Sequence, residues 1–411
     1  MHQIIAGIDI HKRMLAVVVG GLGWAEEAQQ RAQFGTGARE RERLRAWLRE
    51  QGVTLVAMES TAQYWRPIWM ALEGEFELQL AQARSNRAPG GRKTDFGDAQ
   101  RLVRRWFAGE LSLSFVPEPE QRSWRDLTHS RQQMVEDRVR LQNHLESWLE
   151  ETQIKLSSVV SNLLGASGRR ILEAIATGQS DADELAKLAD YRLKARKDDV
   201  ADALRATVGE VSRRVLRRFL DRLALLDKQM AEVGQDLSRV LAAHGDAVRR
   251  LGEIPGVGPE AAQQVIAEAG VKAQAFPSPE QFASWIGVCP GRHESAGESS
   301  SNRSPKGNRS LRRVLTQVAW AAARTKGSFF KGLFERLVPK LGAQKAIWAV
   351  AHRMARVIWL VLHEGVSYVE KGPLALDPAA ALRRKTQLVK RLRALGYEVQ
   401  LSPIPVGESV S

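Results

Sequence analysis

The order of short apolar runs and amphipathic segments in the first 107 residues constrains the fold more than any other feature of this sequence. Runs rich in β-branched residues predict strands, and segments with apolar residues on one helical face predict helices. The succession is strand, strand, strand, helix, strand, helix, strand, helix, which predicts a mixed sheet flanked by helices. The predicted strands are Gln3–Ile8, Met14–Val19, a weaker run between Trp24 and Phe34, Val53–Met58 and Phe76–Ala81, and the predicted helices are Ala38–Glu50, Trp65–Leu72 and a helix from Asp95 to Phe107.

A long helical stretch is predicted after Pro117 and Pro119, which mark the end of the α/β part. Apolar residues in this stretch alternate steps of four and three, as they do along the seam of a coiled coil. A helix packed inside a helical domain accounts for the same spacing, and the sequence leaves both interpretations open. The seam comprises Phe219, Leu223, Leu226, Met230, Val233, Leu237 and Val240.

Four regions follow from these patterns. Residues 1–116 are predicted to form an α/β domain with the order of elements of RNase H-like nucleases, and residues 117–245 a helical, coiled-coil arm. Residues 246–372 are predicted to form a mainly helical domain, and residues 373–411 a basic, loosely ordered tail. The third region is expected to contain the helices Glu260–Ala269, Leu311–Arg324 and Ala346–Leu362, an apolar run Phe282–Ile286 and a polar loop Gly291–Asn308.

The charge balance indicates the kind of partner. Lys and Arg total 61 against 47 Asp and Glu, which gives a net charge of +14. A surplus of this size attracts polyanions, and nucleic acid is the commonest polyanion inside a cell. The single cysteine, Cys289, excludes a disulfide framework and fits a reducing compartment. Charged residues interrupt the apolar stretches, so the sequence predicts neither a secretory signal nor a membrane partner.

Four acidic residues occupy positions from which carboxylates converge in such a sheet. Asp9 follows the first predicted strand and Glu59 the fourth, while Asp95 and Asp98 share one face at the start of a helix. Carboxylates this close repel unless a cation lies between them, and hard oxygen ligands select Mg²⁺ or Mn²⁺. Taken singly, each acid is also compatible with a turn or a helix cap. Four-acid exonucleases carry an acid two residues after the first, where this chain has His11, which argues against an exonuclease.

A second group of candidates lies toward the C-terminus. The polar loop offers serine hydroxyls and glycines beside basic side chains suited to phosphate, although a Ser-rich loop is more typical of a solvated linker. The turn Ile254-Pro-Gly-Val-Gly-Pro is similar to that of helix-hairpin-helix modules, which bind DNA phosphates through backbone N–H groups; a Gly–Pro turn before a buried helix is the alternative. The residues predicted to bind nucleic acid are Lys93, Gly256, Gly258, Arg303, Lys306, Arg309, Arg312 and Arg313.

Seven motifs between Gly7 and about Gly372 carry a family resemblance. They are Gly7-Ile-Asp-Ile-His-Lys, Met58-Glu-Ser-Thr, Lys93-Thr-Asp-Phe-Gly-Asp-Ala, the helical run 154–170, Ile254-Pro-Gly-Val-Gly, Ala283-Ser-Trp-Ile-Gly-Val-Cys-Pro-Gly-Arg-His-Glu-Ser-Ala-Gly and Lys306-Gly-Asn-Arg-Ser-Leu-Arg. Together they resemble the DEDD transposases of bacterial insertion sequences that use an RNA-guided, or bridge-RNA, recombinase.

The resemblance implies a RuvC-like N-terminal domain in which Asp9, Glu59, Asp95 and Asp98 hold Mg²⁺ or Mn²⁺. It implies a C-terminal transposase domain in which Ser295 attacks a DNA phosphodiester and holds the cleaved end as phosphoserine. Donor and target DNA, and a noncoding guide RNA that pairs with both, are the implied partners. Active sites shared between protomers of a dimer or tetramer are implied too, as is a place at the nucleoid in the bacterial cytoplasm.

One departure from the family concerns the residues after Gly297. The family commonly has a basic run there, whereas this chain has Glu298, Ser299 and Ser300. Loss of positive charge beside the implied nucleophile weakens phosphate binding. Two other functions therefore stay open: a catalytically weakened or inactive transposase relative that binds RNA or DNA, and an RNase H-like resolvase that uses water as its nucleophile.

Overall fold

The chain divides into two compact units, Met1–Glu118 and Pro119–Ser411. The computed structural model describes residues 3–59, 62–83, 94–190, 193, 195–290, 293–295, 298–301, 304, 306–373 and 378–402. Lys93 and Arg303, both predicted to contact nucleic acid, lie outside these residues. Within the described ranges, no helix has the length and apolar character needed to cross a membrane.

The first unit is built on one five-stranded sheet. It contains β1 (Ile4–Ile10), β2 (Met14–Gly21), β3 (Gln30–Gly35), α1 (Ala38–Glu50), β4 (Leu55–Glu59), α2 (Trp65–Leu72), β5 (Glu77–Ala81) and α3 (Asp95–Phe107). The strand order is β3-β2-β1-β4-β5; β2 is antiparallel to β1 and β3, whereas β4 is parallel to β1 and β5. The mixed sheet predicted from the sequence is therefore confirmed.

Side chains of each strand alternate between two layers, because successive residues point to opposite faces of a sheet. One face is covered by α1 and α2, whose Leu44 and Ile68 share a buried cluster with Ile8 of β1. The opposite face is covered by α3, whose Leu102 shares a second buried cluster with Ile5 of β1. The odd-numbered residues of β1 therefore face α3.

Helix α3 lies directly on β1 at Gly7. A Cβ atom at this position would lie 2.2 Å from the carbonyl oxygen of Ala99 in α3, a distance that real Cβ atoms do not show. Only glycine lets the backbones of the strand and the helix approach this closely. The contact fixes the depth at which α3 rests on the sheet.

The second unit is mostly helical. It contains α4 (Pro119–Glu151), α5 (Leu156–Val159), α6 (Ala166–Ala176), α7 (Ala182–Lys187), α8 (Lys197–Ala203), α9 (Glu210–Val240), α10 (Gly245–Gly252), α11 (Pro259–Ala269), α12 (Pro279–Ile286), β6 (His293–Ser295), β7 (Glu298–Ser301), α13 (Arg309–Ala322), α14 (Phe329–Leu341), α15 (Ala343–His363) and α16 (Pro378–Ala394).

The two long helices, α4 and α9, run antiparallel along each other. Arg138 donates to Asp227 at 2.7 Å, and further along α4 the His144 ring contacts the Phe219 ring of α9 edge-on. Phe219 and Leu223 are buried in the core that α4 and α9 share. The first part of the heptad pattern therefore packs within the chain, as the helical-domain interpretation expects.

Three segments differ from the sequence predictions. The polar loop Gly291–Asn308 contains the hairpin β6–β7, and the tail predicted to be loosely ordered contains α16, a segment rich in Ala, Leu, Arg and Lys that have high helix propensity. Helix α14 was not expected, because Gly332 and Pro339 both disfavour a helix interior. Gly332 is placed where the helix meets the backbone of Pro373, within 2.3 Å of a would-be Cβ.

Candidate functional site

Asp9 and Glu59 lie at the same edge of the sheet. Their strands, β1 and β4, are parallel neighbours in which Ile8 pairs with Met58, and each acid is the next residue along. Asp9 belongs to β1 rather than following it, which extends the predicted strand by two residues to Ile10. Both acids fall on the face that α3 covers, because they continue the alternation of Ile5, Gly7 and the buried residues of β4.

Helix α3 brings two further acids to this edge. Its first residue is Asp95, and Thr94 caps the helix by accepting a hydrogen bond from the Gly97 amide at 3.1 Å. Asp98 is buried one turn later and accepts a hydrogen bond from Arg101 at 2.7 Å. The prediction that these two carboxylates share the start of a helix is confirmed.

His11 connects a strand acid to a helix acid. Its Nε2 lies 3.1 Å from Oδ2 of Asp9 and 3.1 Å from Oδ1 of Asp95, although 84 residues separate His11 from Asp95. One ligand atom from each of the three side chains lies within 4.8 Å of the other two. In the sequence, His11 served only as an argument against an exonuclease. Its spacing of two from Asp9, which keeps a strand residue on the same face, was the available signal.

The charges of the three other acids act on Asp9. Burial raises the pKa of Asp9, and although His11 opposes this, the negative charges of Asp98, Glu59 and Asp95 raise the pKa further. A carboxyl group that is 7% exposed and surrounded by like charges is stabilised by a divalent cation. Two carboxylates and an imidazole nitrogen form a donor set that fits Mn²⁺ well, and the carboxylates fit Mg²⁺. The residues present therefore fit a divalent metal ion.

In the second unit, Asn308 fixes the start of α13. Its Oδ1 accepts from the Leu311 amide at 2.8 Å, which is an N-cap, and its Nδ2 donates to Oε2 of Glu268 at 2.7 Å. The preceding Gly307 lies against α12, where a Cβ would be 2.1 Å from the carbonyl oxygen of Ile286. The motif Lys306-Gly-Asn thus has a packing role as well as any role in binding.

Glu268 is a buried carboxylate that joins three elements. Besides Asn308, it accepts from Nε2 of His129 at 2.6 Å, and Nε of Arg125 lies 3.4 Å from its Oε2. Burial raises the pKa of Glu268, but the bonds from His129 and Asn308 and the charge of Arg125 outweigh burial and leave the pKa below its ordinary value. The acid therefore links α4, α11 and the cap of α13 in its charged form.

The predicted basic residues of this region fall into two groups. Lys306 and Arg309 are exposed at the start of α13. The Arg312 guanidinium lies over the Trp348 ring at 5.0 Å, and Arg313 donates to Glu136 of α4 at 3.0 Å. The structure therefore gives Arg312 and Arg313 partners inside the protein, while Lys306 and Arg309 present their charge to solvent.

The two glycines of the Ile254-Pro-Gly-Val-Gly turn also differ. Gly256 has φ +84°, and a Cβ there would lie 2.5 Å from the Val318 carbonyl oxygen of α13. Gly258 precedes α11, and nothing lies within 4 Å of a would-be Cβ. Gly256 is explained by close packing, as expected for a turn before a buried helix, and Gly258 lies where a ligand has room.

Ser295 is the last residue of β6. It belongs to the hairpin that forms within the predicted polar loop. The register pairs Ser295 with Glu298 and Glu294 with Ser299 across the two strands. The hairpin thereby places the backbone of Ser295 beside that of Glu298.

Comparisons with known proteins match both units. Residues 6–154 match the IS110-type DEDD transposase family, and residues 248–334 match the transposase IS116/IS110/IS902 family. A probable family 20 transposase of Pseudomonas aeruginosa is 28% identical over 375 residues, which cover 88% of this chain and 97% of that protein. A protein of Sinorhizobium fredii described as "Putative transposase y4pF/y4sB" is 25% identical over 328 residues, or 77% of this chain and 74% of that protein.

Proposed function

We propose that this chain, which carries the transposase domains of the IS110/IS116 family, moves an insertion element by cutting and rejoining DNA strands. The observation that supports this most is the meeting of Asp9, His11 and Asp95, with the charges of Glu59 and Asp98 acting on Asp9. In this proposal the four acids hold Mg²⁺ or Mn²⁺ in an RNase H-like, RuvC-like domain. Bound there, the metal ion supplies Lewis-acid stabilisation of the phosphodiester oxygens.

Ser295 is the proposed nucleophile. Its Oγ forms a bond to phosphorus as the bond from phosphorus to one deoxyribose oxygen breaks, so that one phosphodiester replaces another. The serine hydroxyl gives up a proton and the leaving oxygen gains one, which keeps the step balanced. Strand exchange then reverses the step with a different deoxyribose hydroxyl as the attacking group.

DNA recognition in this proposal rests mainly on the backbone of the nucleic acid. Lys306 and Arg309, exposed at the start of α13, supply charge for phosphates, and Gly258 offers open backbone. A noncoding guide RNA that pairs with donor and target DNA supplies sequence choice. Dimers or tetramers, in which the acids of one protomer serve the serine of another, complete the proposed assembly.

The decisive experiment uses the full chain with its guide RNA, donor DNA and target DNA in Mg²⁺. Ser295→Ala is expected to abolish covalent protein–DNA adducts and recombinant product while RNA binding persists, and Asp9→Asn is expected to abolish strand cleavage. Ser299→Ala, in the opposite strand of the same hairpin, is the matched control and should retain adducts. Unchanged adduct formation by Ser295→Ala would show that Ser295 is not the nucleophile. Recombination without RNA would show that the reaction does not require a guide RNA.

One observation favours a second function, a weakened or inactive relative that binds nucleic acid. Glu298 is the residue paired with Ser295 in the hairpin, and a negative charge there opposes an approaching phosphate. This alternative predicts RNA and DNA binding with no Mg²⁺-dependent cleavage by the unmodified protein. A resolvase that uses water predicts free cleaved ends and no adduct. A denaturing gel that resolves adducts, free cleaved ends and uncut DNA therefore distinguishes the serine recombinase, the resolvase and the inactive relative.

A further inference from the structure

A cavity of about 360 Å³ lies in the first unit, outside the acidic cluster. Its walls come from the turn after β2, from the segment before β3 and from one face of α3. The side chains and backbone that define it include Gly21, Trp24, Gln29, Gln100, Arg104 and Phe107. Its volume lies at the lower end of the roughly 300–1,000 Å³ of small-ligand sites, which is room for one nucleotide and not for a duplex.

Trp24 offers an aromatic surface that is held in place. Its ring lies on the backbone of Gly21, where a Cβ would come within 2.5 Å of the indole nitrogen. The residue is nevertheless 37% exposed, so part of the ring is open to a ligand. A fixed and accessible indole is the surface on which an unstacked nucleobase packs, whatever its identity.

Polar side chains also line the cavity. Gln100 donates through Nε2 to Oε1 of Gln29 at 3.0 Å, which holds the segment before β3 against α3. The pairing leaves Oε1 of Gln100 as an acceptor and Nε2 of Gln29 as a donor for the edge of a base. Arg104 is exposed on the same wall and is suited to a phosphate oxygen.

The cavity adjoins the acidic cluster through α3. Arg101 lines the cavity and also donates to Asp98 at 2.7 Å. The same helix thus presents acids on one face and the cavity wall on the next. Gly21 pairs with Ile4, at the other end of β1 from Asp9. Arg104 lies nine residues after Asp95, which is about 14 Å along the helix. A strand whose phosphate reaches the acids would therefore meet Arg104 and Trp24 at a different nucleotide from the one at the acids.

We propose that this cavity, the Trp24 pocket, holds one unpaired nucleotide of the DNA strand that is being cut, with its base on Trp24 and its phosphate at Arg104. The pocket would keep that part of the strand single, because a base held outside the stack cannot re-pair. This inference rests on the proposed function, since it assigns a nucleotide-binding pocket to that same substrate strand.

The test uses the full chain in EDTA and a short single-stranded DNA that contains 2-aminopurine, whose fluorescence falls when the base stacks. Binding is expected to quench the probe. Trp24→Ala should remove the quenching and weaken binding by about 5- to 150-fold, the range expected for loss of one aromatic–base stack. Trp24→Phe should restore most of both. Leu22→Ala, an exposed apolar residue of the same turn, should match the unmodified protein.

Two further measurements test whether the pocket binds the base and the phosphate. The same oligonucleotide with an abasic site should bind the unmodified protein as weakly as the intact probe binds Trp24→Ala. Arg104→Ala should lower the slope of log affinity against log salt by about 0.7, the value for one phosphate contact on a single strand. Unchanged quenching in Trp24→Ala, or equal binding of the abasic and the intact oligonucleotide by the unmodified protein, would overturn the pocket.

These measurements are independent of catalysis because they contain no divalent metal. Asp9→Asn should keep the quenching while it abolishes Mg²⁺-dependent cleavage. If the pocket proposal is wrong, DNA binding will not depend on the presence of the base, although the protein still cuts DNA. If the proposed function is wrong, the protein will still quench the probe through Trp24 but will not cut DNA in Mg²⁺.

Discussion

Gly7 of the central strand and Ala99 of α3 meet backbone to backbone, so closely that a methyl group on Gly7 would lie 2.2 Å from the Ala99 carbonyl oxygen. This contact sits two residues before Asp9 and one turn after Asp95. The strand acids and the helix acids therefore depend on the same contact for their separation.

Gly7→Ala is expected to push α3 away from the sheet. Overpacking of this kind costs about 1–3 kcal/mol of unfolding free energy, and the same shift should weaken Mn²⁺ binding at the acids. Thermal unfolding and electron paramagnetic resonance of added Mn²⁺ measure the two effects. Gly37→Ser is the control, since that position is open and precedes a helix, and its stability should change by less than about 0.5 kcal/mol. A Gly7→Ala protein with full Mn²⁺ affinity would contradict the link between this contact and the acids.

His11→Ala removes the imidazole that lies between Asp9 and Asp95. We expect Mn²⁺ affinity to fall by about 10- to 100-fold, the usual effect of losing a side chain that ligates or orients at a metal site. Mn²⁺ titration followed by paramagnetic resonance measures this directly. Lys12→Ala, one residue along and exposed, should leave the affinity unchanged. Equal affinities in the two variants would place His11 outside the metal site.

Glu268 makes the stability of the helical unit sensitive to acid. Its pKa is lower in the folded protein than the ordinary value of 4.5, so the unfolded chain binds its proton more readily. The stabilisation is complete above about pH 4.5 and is lost as pH falls through the lower folded pKa. Glu268→Gln should lower the unfolding temperature near neutral pH and flatten its decline between about pH 5 and 3. If the unfolding temperature of Glu268→Gln falls with acid as steeply as that of the unmodified protein, other carboxylates, such as Asp227, dominate the acid sensitivity.

Asn308→Ala removes a helix cap and a donor to Glu268 in one step. Loss of the cap alone costs about 1 kcal/mol, and loss of one hydrogen bond to the charged Glu268, which keeps His129 and Arg125, adds about 1–3 kcal/mol. Ser278→Ala provides the comparison, because Ser278 caps α12 through a single bond to the Gln281 amide at 3.2 Å. Chemical denaturation should therefore show a larger loss for Asn308→Ala than for Ser278→Ala. Equal losses would mean that the bond to Glu268 contributes nothing.

Glu298→Lys restores a positive charge beside Ser295. We expect tighter duplex binding and a salt dependence that is steeper by about 0.9, the value for one added phosphate contact. Filter binding at several salt concentrations measures both. Glu364→Lys makes the same change of charge on an exposed residue after α15 and should affect binding less. Identical effects of the two substitutions would attribute the gain to net charge alone.

Much of the first unit could be predicted because its inner strands, β1, β2 and β4, are mostly apolar runs. Runs such as Met14–Val19 have no alternative to burial, and the start of α3 is marked by a capping threonine. The convergence of Asp9 and Glu59 was also predictable, because neighbouring parallel strands end at one edge. The part played by His11 was not, since it depends on a helix that begins 84 residues later in the chain.

The hairpin β6–β7 shows a different limit. Its strands, His293–Ser295 and Glu298–Ser301, contain no apolar alternation, so the sequence has the composition of a linker. Pairing of the two backbones defines these strands, and pairing leaves little trace in residue types. Gly256 and Gly307 were ambiguous for a related reason: a glycine required by close packing and a glycine that admits a phosphate look alike in a sequence.

Two of the acids belong to a sheet and two to a helix whose backbone meets that of the sheet at Gly7. Any fluctuation that lifts this helix separates the carboxylates while the strands remain paired. In the proposed function, metal-dependent cleavage therefore requires more than an intact fold, because an opening of α3 far smaller than unfolding is enough to separate the four carboxylates.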